Sequence, residues 1–215
     1  EKWRGLVLEN VTEETILKYV RISGAFGSGV ELLNGNPIFE NVTIGGSQGS
    51  NGRGMYLFNS HPILENVKII NNHGTNGAGM YLRYSSPILN NVEILENTAS
   101  SGAGIYFVGP DWSDPNLVMS NPIMNNVTIA NNTAENYNYY GEPVYHQGGG
   151  LHGYVRATIT NSIIWGNIPE SICITSGAVE DYLPIINYSN IQQELLEEPS
   201  YYSCMPANSE DPGWG

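Results

Sequence analysis

Gly79-Met80-Tyr81-Leu82, followed after a short gap by Pro87-Ile88-Leu89-Asn90-Asn91-Val92-Glu93-Ile94, decides how this chain folds. Both stretches recur at a step of 25 residues. Gly29, Gly54, Gly79 and Gly104 form one series, Pro37, Pro62 and Pro87 a second, and Asn41, Asn66 and Asn91 a third. Unlike residue types that share one period mark a single structural unit copied in register. Within a unit the apolar residues alternate. Met55 and Leu57 share one face and Tyr56 and Phe58 the other, while Val67 and Ile69 flank Lys68. A period of two means strands, and each is short, bounded by Gly, Pro, Asn or Ser.

Outward from this centre the copies acquire insertions and then decay. From Pro87 to Pro122 the step is 35, which places ten extra residues in a loop at 109–118. The step from Asn126 to Asn161 is again 35, which places a second insertion at 136–147. Tyr19-Val20-Arg21-Ile22 and Ile186-Asn187-Tyr188-Ser189-Asn190-Ile191 are worn copies at the two ends. About seven units with atypical ends suit a stacked repeat. The domain plan is one unit over 1–215, with an atypical first coil at 1–28, regular coils at 29–167, and a last coil with a cap or tail at 168–215. Residues 13–18 and 191–198 carry fair helix propensity, and the second reads as a short terminal helix on the end of the stack.

Three short strands per repeat, stacked in parallel, predict an all-β fold. It is a single-stranded right-handed parallel β-helix whose coils are about 4.8 Å apart. Three columns point inward: Val42, Val67, Val92 and Val127; Ile44, Ile69, Ile94 and Ile129; Phe39, Leu64, Leu89 and Met124. Asn41, Asn66, Asn91, Asn126 and Asn161 fall at a bend, where stacked amides can bond one another. The first coil is an unpaired edge, so a cap or a neighbouring domain of a longer chain is expected beside it.

These features resemble the right-handed parallel β-helix repeat proteins of the pectate-lyase-like superfamily, and within it a bacterial secreted or cell-surface subset. The matching residues are Gly77-Ala78-Gly79-Met80-Tyr81, Ser86-Pro87-Ile88-Leu89-Asn90-Asn91, Asn161-Ser162-Ile163-Ile164-Trp165-Gly166-Asn167 and Tyr188-Ser189-Asn190-Ile191-Gln192. The resemblance covers nearly the whole chain and implies a secreted or cell-surface location. It implies no single activity, because the superfamily holds polysaccharide lyases, glycoside hydrolases, epimerases and surface proteins without known catalysis, and the motif residues are those that build coils.

Charge narrows the partners. Eight Lys and Arg residues against 21 Asp and Glu residues give a net charge of −13 with no basic stripe, which disfavours nucleic acid and anionic membrane surfaces. No apolar run is long enough to span a membrane. Cys173 and Cys204 either form one disulfide that staples the C-terminal tail or are two unrelated buried thiols. Gly74-Thr75-Asn76-Gly77-Ala78-Gly79 imitates a phosphate-binding loop, but its recurrence without a following helix marks a turn into a strand. Asn10, Asn41, Asn126, Asn131 and Asn187 begin glycosylation sequons, and Asn41 and Asn126, as bend positions, are expected to be inaccessible.

The candidate site lies on the outer face of the first strand. Glu31, Tyr56, Tyr81, Tyr106 and His152 occupy it in successive coils, with Leu33, Phe58, Arg83 and Val108 alongside. Rings stacked about 5 Å apart form an amphipathic strip that suits a polysaccharide; the plainer reading is that tyrosine is a good strand residue that protects the sheet. Both insertions are expected to rim one end of the strip and make a cleft, adding Trp112 and Tyr140 to the binding residues. Asp111, Asp114 and Glu142 are the clustered carboxylates there and the candidates for acid/base catalysis in a polysaccharide lyase or glycoside hydrolase. Asp111, Asp114 and Asn116 are alternatively candidate ligands for Ca²⁺; no other cofactor is implied. The leading expectation is carbohydrate binding on the tyrosines, the alternatives being that enzyme and a purely structural stalk or adhesin segment.

Overall fold

The computed structural model describes residues 2–49, 54–110, 118–135, 148–175 and 183–192. They form a parallel β-solenoid of seven coils. Three sheets of seven strands each run its length, and every coil contributes one strand to each sheet. The first sheet starts at Leu6–Glu9, the second at Ile16–Lys18 and the third at Arg21–Ser23. No α-helix occurs among the described residues. Residues 13–18, expected to favour a helix, instead form a turn in which the Thr15 N–H donates to the Thr12 carbonyl, followed by the strand Ile16–Lys18. Leu17 packs onto the core there, and that burial outweighs a weak local propensity. Residues 193–198 lie outside the described residues.

The register follows the repeat. Ile88 pairs with Ile63 on one side and with Ile123 on the other, and Tyr106 pairs with His152. Both insertions therefore leave the ladder undisturbed. The three inward columns are buried as expected, from Phe39 and Ile44 at 0% exposure to Val127 and Ile129 at 1%. The first sheet adds Val30, Met55, Met80, Ile105 and Leu151 to the same core.

Residues in the left-handed region make the bends that follow the second strand in all seven coils, the third strand in the first six and the first strand in the first four. Asn10, Asn34, Asn59 and Tyr84 follow the first strand. Tyr19, Asn41, Asn66, Asn91, Asn126, Asn161 and Tyr188 follow the second. Gly24, Gly46, Asn71, Glu96, Asn131 and Gly166 follow the third, all with φ between 46° and 71°. Asn and Gly dominate because they enter this region at least cost. The bend asparagines are thus conformational devices first, although Asn126 Nδ2 also donates to Asn91 Oδ1 and Asn161 Nδ2 to Asn125 Oδ1. Asn126 is exposed and Asn41 partly so, contrary to the expectation that these sequon positions are inaccessible. A bend turns its residue away from the core.

The buried asparagine ladder stands one residue past the third bend. Asn72, Asn97, Asn132 and Asn167 are all inside. Asn72 Nδ2 donates to Asn97 Oδ1 at 3.0 Å, Asn97 Nδ2 to Asn132 Oδ1 at 2.9 Å and Asn132 Nδ2 to Asn167 Oδ1 at 2.9 Å. Each Oδ1 also accepts the backbone N–H of the preceding coil's asparagine, while Asn97 Nδ2 donates to the Ile69 carbonyl at 3.0 Å. Backbone groups freed by the bend are satisfied in this way by side chains. The glycine series abuts this ladder. A Cβ on Gly79 would lie 2.3 Å from the Gly104 carbonyl oxygen and 2.7 Å from Ile94 Cγ2, so only glycine fits.

Candidate functional site

The first sheet turns one column of side chains outward: Val7, Glu31, Tyr56, Tyr81, Tyr106, His152 and Cys173, in unbroken parallel register. At its centre the phenol rings stack. Tyr56 and Tyr81 have centroids 5.4 Å apart and planes 16° apart; for Tyr81 and Tyr106 the values are 5.4 Å and 7°. The coil spacing sets this distance, because equivalent residues in adjacent parallel strands are held one hydrogen-bonded strand apart.

The geometry changes what the strip offers. Facing rings occupy one another's faces, so the tyrosines present outer edges and hydroxyls in a straight row instead of open ring faces. All three are half-buried. Burial, and then the neighbouring Tyr106, pushes the Tyr81 hydroxyl above its ordinary pKa; burial, and then Tyr154, does the same for Tyr106. Both remain protonated donors at neutral pH.

Arg83 flanks the row in the neighbouring column, level with Phe58. Its guanidinium carbon lies 5.5 Å from the Phe58 ring centroid and 5.4 Å from that of Tyr84, and these two rings meet edge to face at 6.0 Å. A hydrogen bond with Tyr84 pushes the Arg83 pKa still higher. The charge is therefore held in a fixed cation–π bracket beside the hydroxyls.

His152 continues the column but not the open strip. Its ring centroid is 5.4 Å from that of Tyr106, tilted by 39°, and the residue is only 6% exposed. Nδ1 is buried without a hydrogen-bond partner. Burial brings its pKa down from 6.5 to about 4. Next in line, Cys173 is fully buried and disulfide-bonded; the chain's other cysteine, Cys204, lies outside the described residues.

The fold therefore brings Tyr56, Tyr81, Tyr106, Arg83 and His152 to one column and its neighbour. Asp111, Trp112, Asp114, Asn116, Tyr140 and Glu142 lie outside the described residues. Among the described residues, no group of three or more His, Cys, Asp or Glu could hold a metal ion, and no helix is long and apolar enough to cross a membrane. Sequence reasoning missed the Arg83–Phe58–Tyr84 bracket. Its signal was the departure of Tyr84 from the Asn59 bend position, which puts a ring where the column otherwise has an amide.

No curated protein matches the chain. Among solved structures, that of HetL, a pentapeptide repeat protein involved in heterocyst differentiation regulation from the cyanobacterium Nostoc, is 11% identical over 87% of this chain and 85% of its own length. Its TM-score of 0.18 is too low to carry an argument. The right-handed β-helix region family matches residues 4–184, a span that takes in the first six coils and their parallel register. By that match and by its own winding, the chain belongs to the right-handed β-helix family.

Proposed function

We propose that this chain is a polysaccharide-binding module of a secreted or cell-surface protein, and that the glycan lies along Tyr56, Tyr81 and Tyr106 with Arg83 at its side. The observation that carries this reading is the stacked row itself, which repeats one phenol per coil with ring centroids 5.4 Å apart. A periodic, rigid row of phenols fits a periodic ligand rich in hydroxyls. An extended polysaccharide is such a ligand, with one sugar spanning a distance comparable to one coil. Ring edges carry partial positive charge and complement hydroxyl oxygens. The rings are already immobilised by their neighbours, so binding costs little further side-chain entropy. A net charge of −13 favours a neutral glycan over an acidic one.

A glycan array probed with the wild type and with a Tyr81→Ala, Tyr106→Ala variant tests the reading. Binding to neutral polysaccharides that the variant loses is expected. Equal signals from both proteins, or silence from the wild type across the array, would remove it.

A further inference from the structure

His152 ends the tyrosine row in an unusual state. Its ring leans on Tyr106, the residue is 94% withdrawn from solvent, and Nδ1 faces no acceptor. Gly148 lies close beside its side chain, where an added Cβ would stand 2.7 Å from His152 Cβ. An imidazolium carries two N–H donors and a full charge, and this site offers Nδ1 no partner.

No ion pair to His152 occurs among the described residues. Among the described residues, Tyr106 faces it from the preceding coil and Cys173 from the following one, where the disulfide removes any titration. Tyr154 lies two residues along the same coil. Glu170 stands across Gly148, whose N–H it accepts at 3.0 Å, and burial pushes this carboxyl toward its neutral form.

We propose that His152 is a proton-operated latch at the C-terminal end of the tyrosine row: neutral, it stacks on Tyr106 and closes the row; protonated, it leaves the stack and frees that face of Tyr106. The consequence for ligand rests on the polysaccharide reading, since a freed Tyr106 changes the end of the binding strip. The latch itself does not depend on it. Closed and open rings differ in proton affinity, the open one having the ordinary value near 6.5 and the closed one about 4. Each pH unit of acidification within this window then raises the open population about tenfold, because opening takes up one proton.

NMR of the wild-type chain tests this without a variant. The imidazole nitrogens of His152 and the ring signals of Tyr106 are followed together from neutral pH down to about 4. The expected result is one shared titration, with Tyr106 losing the ring-current shift from its histidine neighbour as His152 charges. A His152→Phe variant, which keeps a ring but takes no proton, should show no Tyr106 step. Titration of His152 with Tyr106 unmoved, a His152 that stays neutral throughout, or the same Tyr106 step in His152→Phe would each overturn the latch. Hydroxyethyl cellulose binding at neutral and acidic pH separates the two claims. Absence of binding at neutral pH counts against the polysaccharide reading alone, and the Tyr106 signals judge the latch.

Discussion

Replacing Asn97 by alanine should cost far more than replacing Asn91, although both are asparagines of a repeating column six residues apart. Asn97 is fully buried, and its Oδ1 accepts both the backbone N–H and Nδ2 of Asn72 at 3.0 Å. Its Nδ2 donates to the Ile69 carbonyl and to Asn132 Oδ1. Alanine strands the Asn72 backbone N–H and one Nδ2 N–H in a buried site, leaving Nδ2 only its longer bond to the Ile44 carbonyl at 3.4 Å. Each buried orphan costs about 1–3 kcal/mol, so the loss is about 4 kcal/mol. Against a typical total stability on the order of 10 kcal/mol this is a large fraction. Asn91 is exposed and chiefly supplies a left-handed bend at φ 53°, where alanine loses about 1 kcal/mol. Urea unfolding followed by far-ultraviolet circular dichroism measures both, the midpoint and slope being read separately. The reasoning is refuted if Asn97→Ala unfolds within about 1 kcal/mol of the wild type, or if Asn91→Ala is the more damaging.

Other consequences follow from the same geometry. Gly79→Ala should destabilise by about 3 kcal/mol, because its new methyl would press on the Gly104 carbonyl of the next coil; thermal melting checks this, and an unchanged melting temperature contradicts it. Glu96 occupies the left-handed region at φ 55° in a column whose neighbours are Asn71 and Asn131, so Glu96→Asn should gain about 0.5–1 kcal/mol, measured by the same melt. Burial lowers the folded-state pKa of His152 from 6.5 to about 4, so the unfolded chain binds the extra proton between these values, and stability falls as pH drops through them. Full protonation costs about 3 kcal/mol from this group, and comparison of wild type with His152→Phe at each pH isolates it.

Much of the fold was legible because its periodicity is backbone-deep. A step of 25 residues, kept by glycine, proline and asparagine together, can only be met by coils of constant length, and the alternation inside each copy set Val67 and Ile69 inward. The two asparagine columns were harder. Asn66, Asn91, Asn126 and Asn161 share their steps with the column Asn72, Asn97, Asn132 and Asn167. Spacing alone cannot tell which faces in, because a left-handed bend between them resets the alternation that would assign a side. The site was legible as a column of tyrosines, since register follows from the repeat. What each ring presents was not, because stacking angle and burial depend on neighbours in the adjacent coils. The burial of His152 illustrates this: in sequence it is the next member of the exposed series, while in the fold it is almost wholly enclosed.

The proposal that the phenol hydroxyls bind a polysaccharide is tested most directly by deleting those hydroxyls and leaving the rings. Isothermal titration of the strongest polysaccharide on the glycan array against a Tyr56→Phe, Tyr81→Phe, Tyr106→Phe variant does this, with near-ultraviolet circular dichroism confirming that the stack is intact. Loss of three hydrogen bonds of about 1 kcal/mol each predicts affinity weaker by about a hundredfold. Undiminished affinity in the phenylalanine variant would contradict the account.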